Sequence, residues 1–128
     1  MSQKIENVLI SLSDKSDIEK VLKVLKKYKI NIISSGGTYK EIIKLGYSCT
    51  EISKYTKFNE MLDGRVKTLH PKIHAGILSK RSNKKHRREM KKKKFNYIDL
   101  IIVNFYPFEK TILKIKNSKK IIENIDIG

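Results

Sequence analysis

The chain opens with apolar residues in two different patterns, which predict a strand followed by a helix. The run Asn7–Leu12 is short and continuous, as in a strand. The apolar positions that follow recur every three or four residues, which predicts a helix over about Asp17–Tyr28. Ser16 and Glu19 have the spacing of a capping box at the start of this helix.

The same succession of a strand and a helix follows a second time. Ile30–Ser34 predicts a second strand, and the short helix after it ends near Gly46, where a glycine often closes a helix. Thr38 and Glu41 have the spacing of a capping box at the start of this second helix. Tyr47–Ile52 then predicts a short strand.

The second half of the chain contains a basic helix and a strongly apolar strand. Lys54–Leu62 is irregular or weakly helical, and Ser82–Lys94 predicts a surface helix. Ile98–Val103 has the continuous apolar pattern of a strand that is buried on both faces. A weak last helix is predicted over about Ser118–Asn124. The alternation predicts a single α/β domain, a mainly parallel sheet flanked by helices.

The composition fits one globular domain of 128 residues with an apolar fraction of 39%. No apolar run approaches the roughly 18 residues of a membrane span. A strand begins too close to the N-terminus to leave room for a signal peptide. Cys49 is the only cysteine, which excludes an intrachain disulfide and a cysteine-rich zinc site. We therefore expect a cytoplasmic protein without a membrane partner.

The formal charge of +16 raises the question of a polyanionic partner. Lys80–Lys94 holds ten Lys or Arg residues against Glu89 alone. Lysine supplies 25 of the 29 cations, although arginine is the better donor for bidentate phosphate and base contacts. Codon bias toward Lys, Ile and Asn would also produce this charge. A solvated basic face is favoured, a polyanion patch stays open, and nucleic acid is not the expected partner.

Polar segments follow three of the predicted strands, where a parallel sheet binds ligands. They are Ser13-Asp14-Lys15, Ser35-Gly36-Gly37-Thr38, and Asn104 with Tyr106. The glycines of the second segment allow close approach to a ligand, and the helix that it opens favours an anion. One phosphate fits better than a triphosphate, because neither a Walker A nor a dinucleotide motif is present. An ordinary helix-capping turn is the alternative.

The segment Gly64–Pro71 is the most informative part of the chain. Arg65 and Lys67 share a face if the segment is extended, so both can reach one anion or one polarised oxygen. Val66 and Leu69 are expected to anchor the segment in the core. The segment therefore predicts a small-molecule site on a loop, with an exposed basic loop as the alternative.

Two histidines follow in a spacing that invites comparison with a metal site. His70 and His74 are separated by four residues, which on a helix can chelate a metal. Pro71 pushes His70 toward an extended backbone and opposes a helix that starts there. Because no acidic third ligand is close in sequence, no metal is expected.

Two further side chains near the C-terminus are candidates for proton transfer. Tyr106 precedes a proline, and a phenol near a lysine can have a lowered pKa and act as a donor or base. A packing role between Phe105 and Phe108 is the alternative. Asp126 lies among isoleucines, either as a satisfied turn residue or as a site group.

Taken in order, five segments resemble the N-terminal domain of AICAR transformylase/IMP cyclohydrolase. They are Ser11–Lys15, Ser34–Thr38, Phe58–Leu78, Asn104–Phe108 and Glu123–Gly128. The part with the sequence GRVKTLHP is the most specific. The resemblance implies a methylglyoxal-synthase-like α/β domain. It also implies closure of 5-formamidoimidazole-4-carboxamide ribotide to inosine monophosphate (IMP), with loss of water and without a cofactor or metal.

The resemblance also implies which residues act. Lys67, Tyr106 and Asp126 match positions implicated in catalysis. The matching substrate-binding positions are Ser13, Asp14, Lys15, Ser35, Gly36, Gly37, Thr38, Arg65, Val66, Thr68, Val103, Asn104 and Ile127. The implied partner is a purine ribotide, and a homodimer stays open.

The chain departs from the family pattern in two places. Lys57 and Asn59 stand where the family usually has Gly and Pro, which is a minor loop change. The family continues past Gly128 into a segment with a further catalytic lysine and then into a transformylase domain. We therefore expect a domain truncated at its C-terminal end, without transformylase activity. A regulatory module of the same fold and a basic nucleic-acid-binding protein are the competing interpretations.

Overall fold

The computed structural model describes residues 4–63 and 67–104, and the elements below lie in this part of the chain. In chain order they are β1 (Asn7–Ser11), α1 (Ile18–Lys27), β2 (Asn31–Ser34), α2 (Gly36–Lys44), β3 (Thr50–Glu51), α3 (Ile52–Thr56), α4 (Pro71–Leu78), α5 (Lys84–Lys93) and β4 (Leu100–Val103). The helix predicted over Ser118–Asn124 lies outside the described residues.

The four strands form one parallel sheet in the order β3-β2-β1-β4. Leu9 in β1 lies opposite Ile33 in β2 and Ile101 in β4. Because parallel neighbours cannot be joined by a tight hairpin, the helices serve as crossover connections. The predicted α/β fold with a mainly parallel sheet is confirmed, and all carboxyl ends lie at one edge.

Apolar side chains cover both faces of the central strands. Val8 and Ile10 point to one face of β1, and Leu9 points to the other, as the alternation of a strand requires. The first face packs on α1 and α2 through Ile18, Leu22, Leu25 and Ile42. The second face packs on α3, α4 and the segment before β4 through Ile52, Ile73 and Ile98. Among the described helices, none combines the length and apolarity needed to cross a bilayer.

Both predicted capping boxes are wrong. The helix α1 has Asp17 at its N-cap position, and no side chain caps it. The helix α2 begins at Gly36, before Thr38, and Thr38 is buried inside its first turn. The Thr38 hydroxyl bonds to the backbone of Leu12 instead, so a tertiary contact replaces the local one. Gly46 does follow the C-cap of α2 and has the positive φ of 87° expected there.

The prediction that Ile98–Val103 is buried on both faces is also wrong. The strand β4 covers Leu100–Val103 and, within the described sheet, pairs only with β1. Ile101 is 40% exposed and Val103 is 60% exposed. An apolar run reports the residue types of a strand, but its position in the sheet decides how much of it is covered.

One acidic side chain joins the amino ends of β1 and β4. One carboxylate oxygen of Asp99 accepts hydrogen bonds from the backbone N–H groups of Glu6 and Asn7, at 2.8 and 2.9 Å. Its other oxygen pairs with the Arg81 guanidinium at 2.5 Å, and that guanidinium lies over the Tyr97 ring. Asp99 has a side-chain exposure of 8%, so this carboxylate is buried but fully partnered.

His70 is the N-cap residue of α4 and has the extended backbone that Pro71 predicts (φ −141°, ψ 138°). Its Nδ1 accepts a hydrogen bond from the Lys72 backbone N–H at 3.0 Å. A ring nitrogen that accepts carries no proton, so the proton of the neutral imidazole is on Nε2. Pro71 occupies the first helical position, where its missing N–H costs nothing.

Leu69 is 50% exposed, so the prediction that it anchors the segment in the core is wrong.

Replacing His70 with Ala is expected to lower the free energy of unfolding by about 0.5–2 kcal/mol, since the cap of α4 is lost. His70→Asn should retain most of the stability, because an Asn oxygen can accept the same N–H bond. Urea denaturation of both variants measures the difference. Equal losses in the two variants would show that packing of the ring, rather than the cap, matters.

Candidate functional site

A cleft of about 210 Å³ opens at the carboxyl ends of β1, β2 and β4. We call it the strand-end cleft. Its lining residues are Ser11, Leu12, Ser13, Lys15, Ser35, Gly37, Thr38, Lys67 and Asn104. They come from four separate parts of the chain. The fold thus brings together the three polar strand ends and one residue of the GRVKTLHP segment.

The loop between β1 and α1 is tied to its neighbours on both sides. Asn104 accepts hydrogen bonds from the Ser13 backbone N–H at 2.7 Å and the Ser13 hydroxyl at 2.9 Å. The Asn104 amide group also donates to the Asp14 carbonyl at 2.9 Å. On the other side, the Thr38 hydroxyl both accepts from Leu12 N–H and donates to Leu12 carbonyl, at 3.1 Å each. These bonds hold the β1–α1 loop to the end of β4 on one side and to α2 on the other.

The segment Ser35–Thr38, which we call the glycine turn, presents the amino end of α2 to the cleft. Ser35 has an extended backbone, and its hydroxyl makes no capping hydrogen bond. The first N–H groups of a helix have no partner within the helix, and the helix dipole adds partial positive charge there. Because the Thr38 hydroxyl is engaged with Leu12, no described side chain competes with an anion at this helix end.

Two lysine ammonium groups flank the glycine turn. A Cβ atom placed on Gly36 would lie 3.2 Å from the Lys67 Nζ, and one placed on Gly37 would lie 3.6 Å from the Lys15 Nζ. Both lysines are partly buried. The turn and its two cations therefore give one side of the cleft a positive charge that suits a phosphate group.

Replacing Gly36 with Ala is expected to destabilise the fold by roughly 1–2 kcal/mol. Gly36 has a φ of 54°, a conformation that an L-residue with a side chain adopts only at a cost. The new methyl group would also crowd Lys67. Gly37→Ala is the matched control, because its Cβ would meet Lys15 at an ordinary 3.5 Å and alanine favours the helix. Urea unfolding should therefore place the two variants on opposite sides of the wild type, and equal losses would contradict the assigned geometry.

Several predicted site residues lie outside this cleft or outside the described residues. The Asp14 carboxylate accepts from the Ser16 N–H, and Asp14 lines a neighbouring groove. Thr68 is half-buried and Val103 is exposed, and neither lines the cleft. Arg65, Val66, Tyr106, Asp126 and Ile127 lie outside the described residues.

The sequence did not indicate what Ser11, Leu12, Thr38 and Asn104 do in the cleft. Ser11 and Leu12 line it as the last residue of β1 and the next one. Thr38 and Asn104 were expected to touch the substrate, yet most of their polar atoms are used to hold the β1–α1 loop. The sequence shows a threonine after a glycine pair, but it does not show that this threonine bonds to Leu12, which is distant in sequence.

Among the residues that the structure describes, the other His, Cys and acidic side chains are not arranged to hold a metal. His74 directs Nδ1 toward the His70 carbonyl, at 3.4 Å, while His70 caps α4. Across residues 4–63 and 67–104, His, Cys, Asp and Glu side chains form no group of three that could hold a metal ion. Burial raises the pKa of the Cys49 thiol to about 11, so this thiol stays protonated at neutral pH.

Comparison with known proteins gives relatives in sequence and structure. The bifunctional purine biosynthesis protein PurH of Acetivibrio thermocellus is 50% identical over 125 residues, or 97% of this chain. The PurH of Rhodospirillum rubrum is 48% identical over 124 residues, again 97% of this chain. The similarity lies in the N-terminal region of these proteins, and the chain spans 24% of the length of each.

A solved structure and a family description agree with these relatives. The crystal structure of ForH superposes with a TM-score of 0.73 at 29% identity, covering 79% of this chain and 51% of ForH. Residues 17–128 match the family described as the MGS-like domain. This match shows that the chain, with its parallel sheet and strand-end cleft, belongs to the family of MGS-like domains.

Proposed function

We propose that this chain is an IMP cyclohydrolase domain, which closes 5-formamidoimidazole-4-carboxamide ribotide to IMP in purine biosynthesis. The observation that carries the proposal is the glycine turn with Lys15 and Lys67 beside it, in the strand-end cleft. The curated relatives, described as bifunctional purine biosynthesis proteins, give the context.

The strand-end cleft would hold the phosphate monoester of the ribotide. The dianion would accept hydrogen bonds from the N–H groups of the glycine turn and pair with two ammonium groups. A ribotide is larger than a cleft of about 210 Å³. The proposal therefore requires further residues for the ribose and the base, and Arg65, Tyr106 and Asp126 are the candidates.

The reaction joins two unreactive groups of one molecule. The carboxamide nitrogen attacks the formyl carbon and loses a proton, and the formyl oxygen gains a proton in the resulting carbinolamine. That carbinolamine then loses its hydroxyl group with a second proton as water, which leaves the closed ring. Because both groups are already in one molecule, holding them in the reactive geometry can contribute up to about 7–11 kcal/mol.

Within this scheme, Lys67 is the cation that stabilises the charge developing on the formyl oxygen. Its ammonium group lies in the cleft beside Gly36, so one lysine would face both the phosphate side and the reacting groups. Tyr106 and Asp126 would relay the protons between nitrogen and oxygen. No step requires a redox cofactor, because no carbon changes its oxidation state.

The test is an ultraviolet assay of IMP formation from the formamido ribotide. It should be run on this chain and on a chain extended past Gly128 along the relatives' sequence. Turnover by either one supports the proposal. Ribotide binding without turnover in both would instead indicate a phosphate-binding regulatory module, and the absence of binding would refute the assignment of the cleft.

A further inference from the structure

We propose that the exposed face of α5 is a docking surface for the phosphate backbone of nucleic acids, separate from the strand-end cleft. The side chains that carry the proposal lie on one stripe of the helix, at the spacing of three and four residues that shares a face. They are Lys84, Arg88, Lys91 and Lys92, and all four are exposed. Met90 is the buried residue of α5, on the other side.

This stripe works against the stability of its own helix. Like charges three or four residues apart destabilise an exposed helix by a few tenths of a kcal/mol per pair. Lys84 and Lys85 also lie in the first turn, where the dipole favours acids and where α5 has none. No carboxylate among the described residues lies within salt-bridge distance of the four cations. An anionic partner would relieve this repulsion.

The start of α5 is held rigidly, so the stripe is presented in a fixed orientation. Asn83 caps the helix by accepting from the His86 N–H at 3.1 Å, and His86 Nδ1 accepts from the Lys80 N–H at 3.0 Å. Arg87 donates to the Arg81 carbonyl at 2.6 Å, and Arg81 itself pairs with the buried Asp99. These contacts employ Arg81 and Arg87 in structural roles and leave the stripe facing solvent.

The contacts that hold α5 lie at the opposite end of the sheet from the strand-end cleft. Asp99 bonds to the N–H groups of Glu6 and Asn7, at the amino ends of the strands. The strand-end cleft lies at the carboxyl ends, beyond Ser11. A ligand on α5 would therefore not compete with a ligand beside Lys67.

The residue types on the exposed face of α5 favour nucleic acid over a membrane or a protein as the partner. An interfacial membrane helix needs an apolar face to bury, and the exposed residues of α5 are charged. The centre of a protein interface is enriched in aromatic residues and depleted of lysine, which is the opposite of this composition. A row of three lysines and one arginine about 12 Å long instead matches a repeating phosphodiester, which such cations contact without reading sequence.

Fluorescence anisotropy with a labelled 20-nucleotide single-stranded RNA, across a salt series, tests the proposal. The variant Lys84→Gln/Arg88→Gln/Lys91→Gln removes three charges from the stripe. Its matched control, Lys20→Gln/Lys23→Gln/Lys27→Gln, removes three charges from one exposed face of α1. The slope of log K against log salt should become about 2 smaller in magnitude in the α5 variant and much less so in the control. Lys67→Ala should bind RNA like the wild type.

Several outcomes would overturn the proposal. Equal loss in the α5 and α1 variants would assign the binding to overall charge, and tighter binding to anionic phospholipid vesicles than to RNA would assign it to a membrane. Failure of the wild type to bind RNA at low salt would refute it directly. Glutamine has a helix propensity close to that of Lys and Arg, so the α5 variant should fold. RNA should raise the melting temperature of the wild type and not of that variant.

Discussion

Replacing Lys67 with Ala is expected to slow IMP formation by roughly 10²–10⁴-fold, and also to weaken ribotide binding because one of the two ammonium groups at the phosphate site is lost. A preorganised cation that meets developing charge in a partly dry cleft contributes about this much to a rate. Lys67 is partly buried, and its ammonium group lies beside Gly36 in the strand-end cleft. The prediction is measured as kcat and KM in the ultraviolet assay, on whichever length of chain turns over.

Lys15→Ala is the matched control for this prediction. Lys15 flanks the same turn from the Gly37 side, so it should serve the phosphate and not the reacting groups. Its loss is expected to raise KM more than it lowers kcat, because it removes binding common to the ground state and the transition state. A near-normal kcat in Lys67→Ala would remove Lys67 from the mechanism. Identical effects in the two variants would reduce both lysines to phosphate ligands.

Replacing Asp99 with Ala is expected to lower the free energy of unfolding by about 3 kcal/mol. The substitution removes a charged acceptor from two backbone N–H groups and leaves the Arg81 guanidinium without its carboxylate. Bonds to a charged partner are the stronger class, and a broken buried pair costs more than an exposed one. Urea denaturation should show a lower midpoint with an unchanged slope.

Arg81→Ala separates the two contributions of Asp99. In that variant the bonds from Glu6 and Asn7 to the carboxylate persist, and the Arg81 side chain is already 32% exposed. We therefore expect a smaller loss than in Asp99→Ala. A loss of equal size would mean that Asp99 stabilises the fold through its ion pair with Arg81 and not through its bonds to the Glu6 and Asn7 N–H groups.

The architecture could be predicted from the sequence because the strands and helices carry distinct apolar periods. β1, α1, β2 and α5 lie within one or two residues of their predicted limits. Two of the failures came where a distant partner decides the outcome. Thr38 bonds to Leu12 and not to its own helix, and the exposure of Ile101 depends on which strands neighbour β4. Neither fact is contained in a local window of sequence.

The candidate site, too, could be predicted from the sequence only in part. The polar residues after β1, β2 and β4 could be expected to meet, because parallel strands share an edge, and the structure brings Ser13, Lys15, Gly37 and Asn104 together. The place of Lys67 beside Gly36 could not be derived from spacing, since the two are joined through α2, β3 and α3. The pattern of the GRVKTLHP segment indicated that Lys67 could reach an anion, and the resemblance added the catalytic role.

The two bonds between Thr38 and Leu12, together with the Asn104 bonds to Ser13 and Asp14, have a consequence for how a ligand could be enclosed. They make the β1–α1 loop, the start of α2 and the end of β4 one stiff body. This wall of the strand-end cleft is therefore formed before a ligand binds, so a ligand meets it as a fixed template.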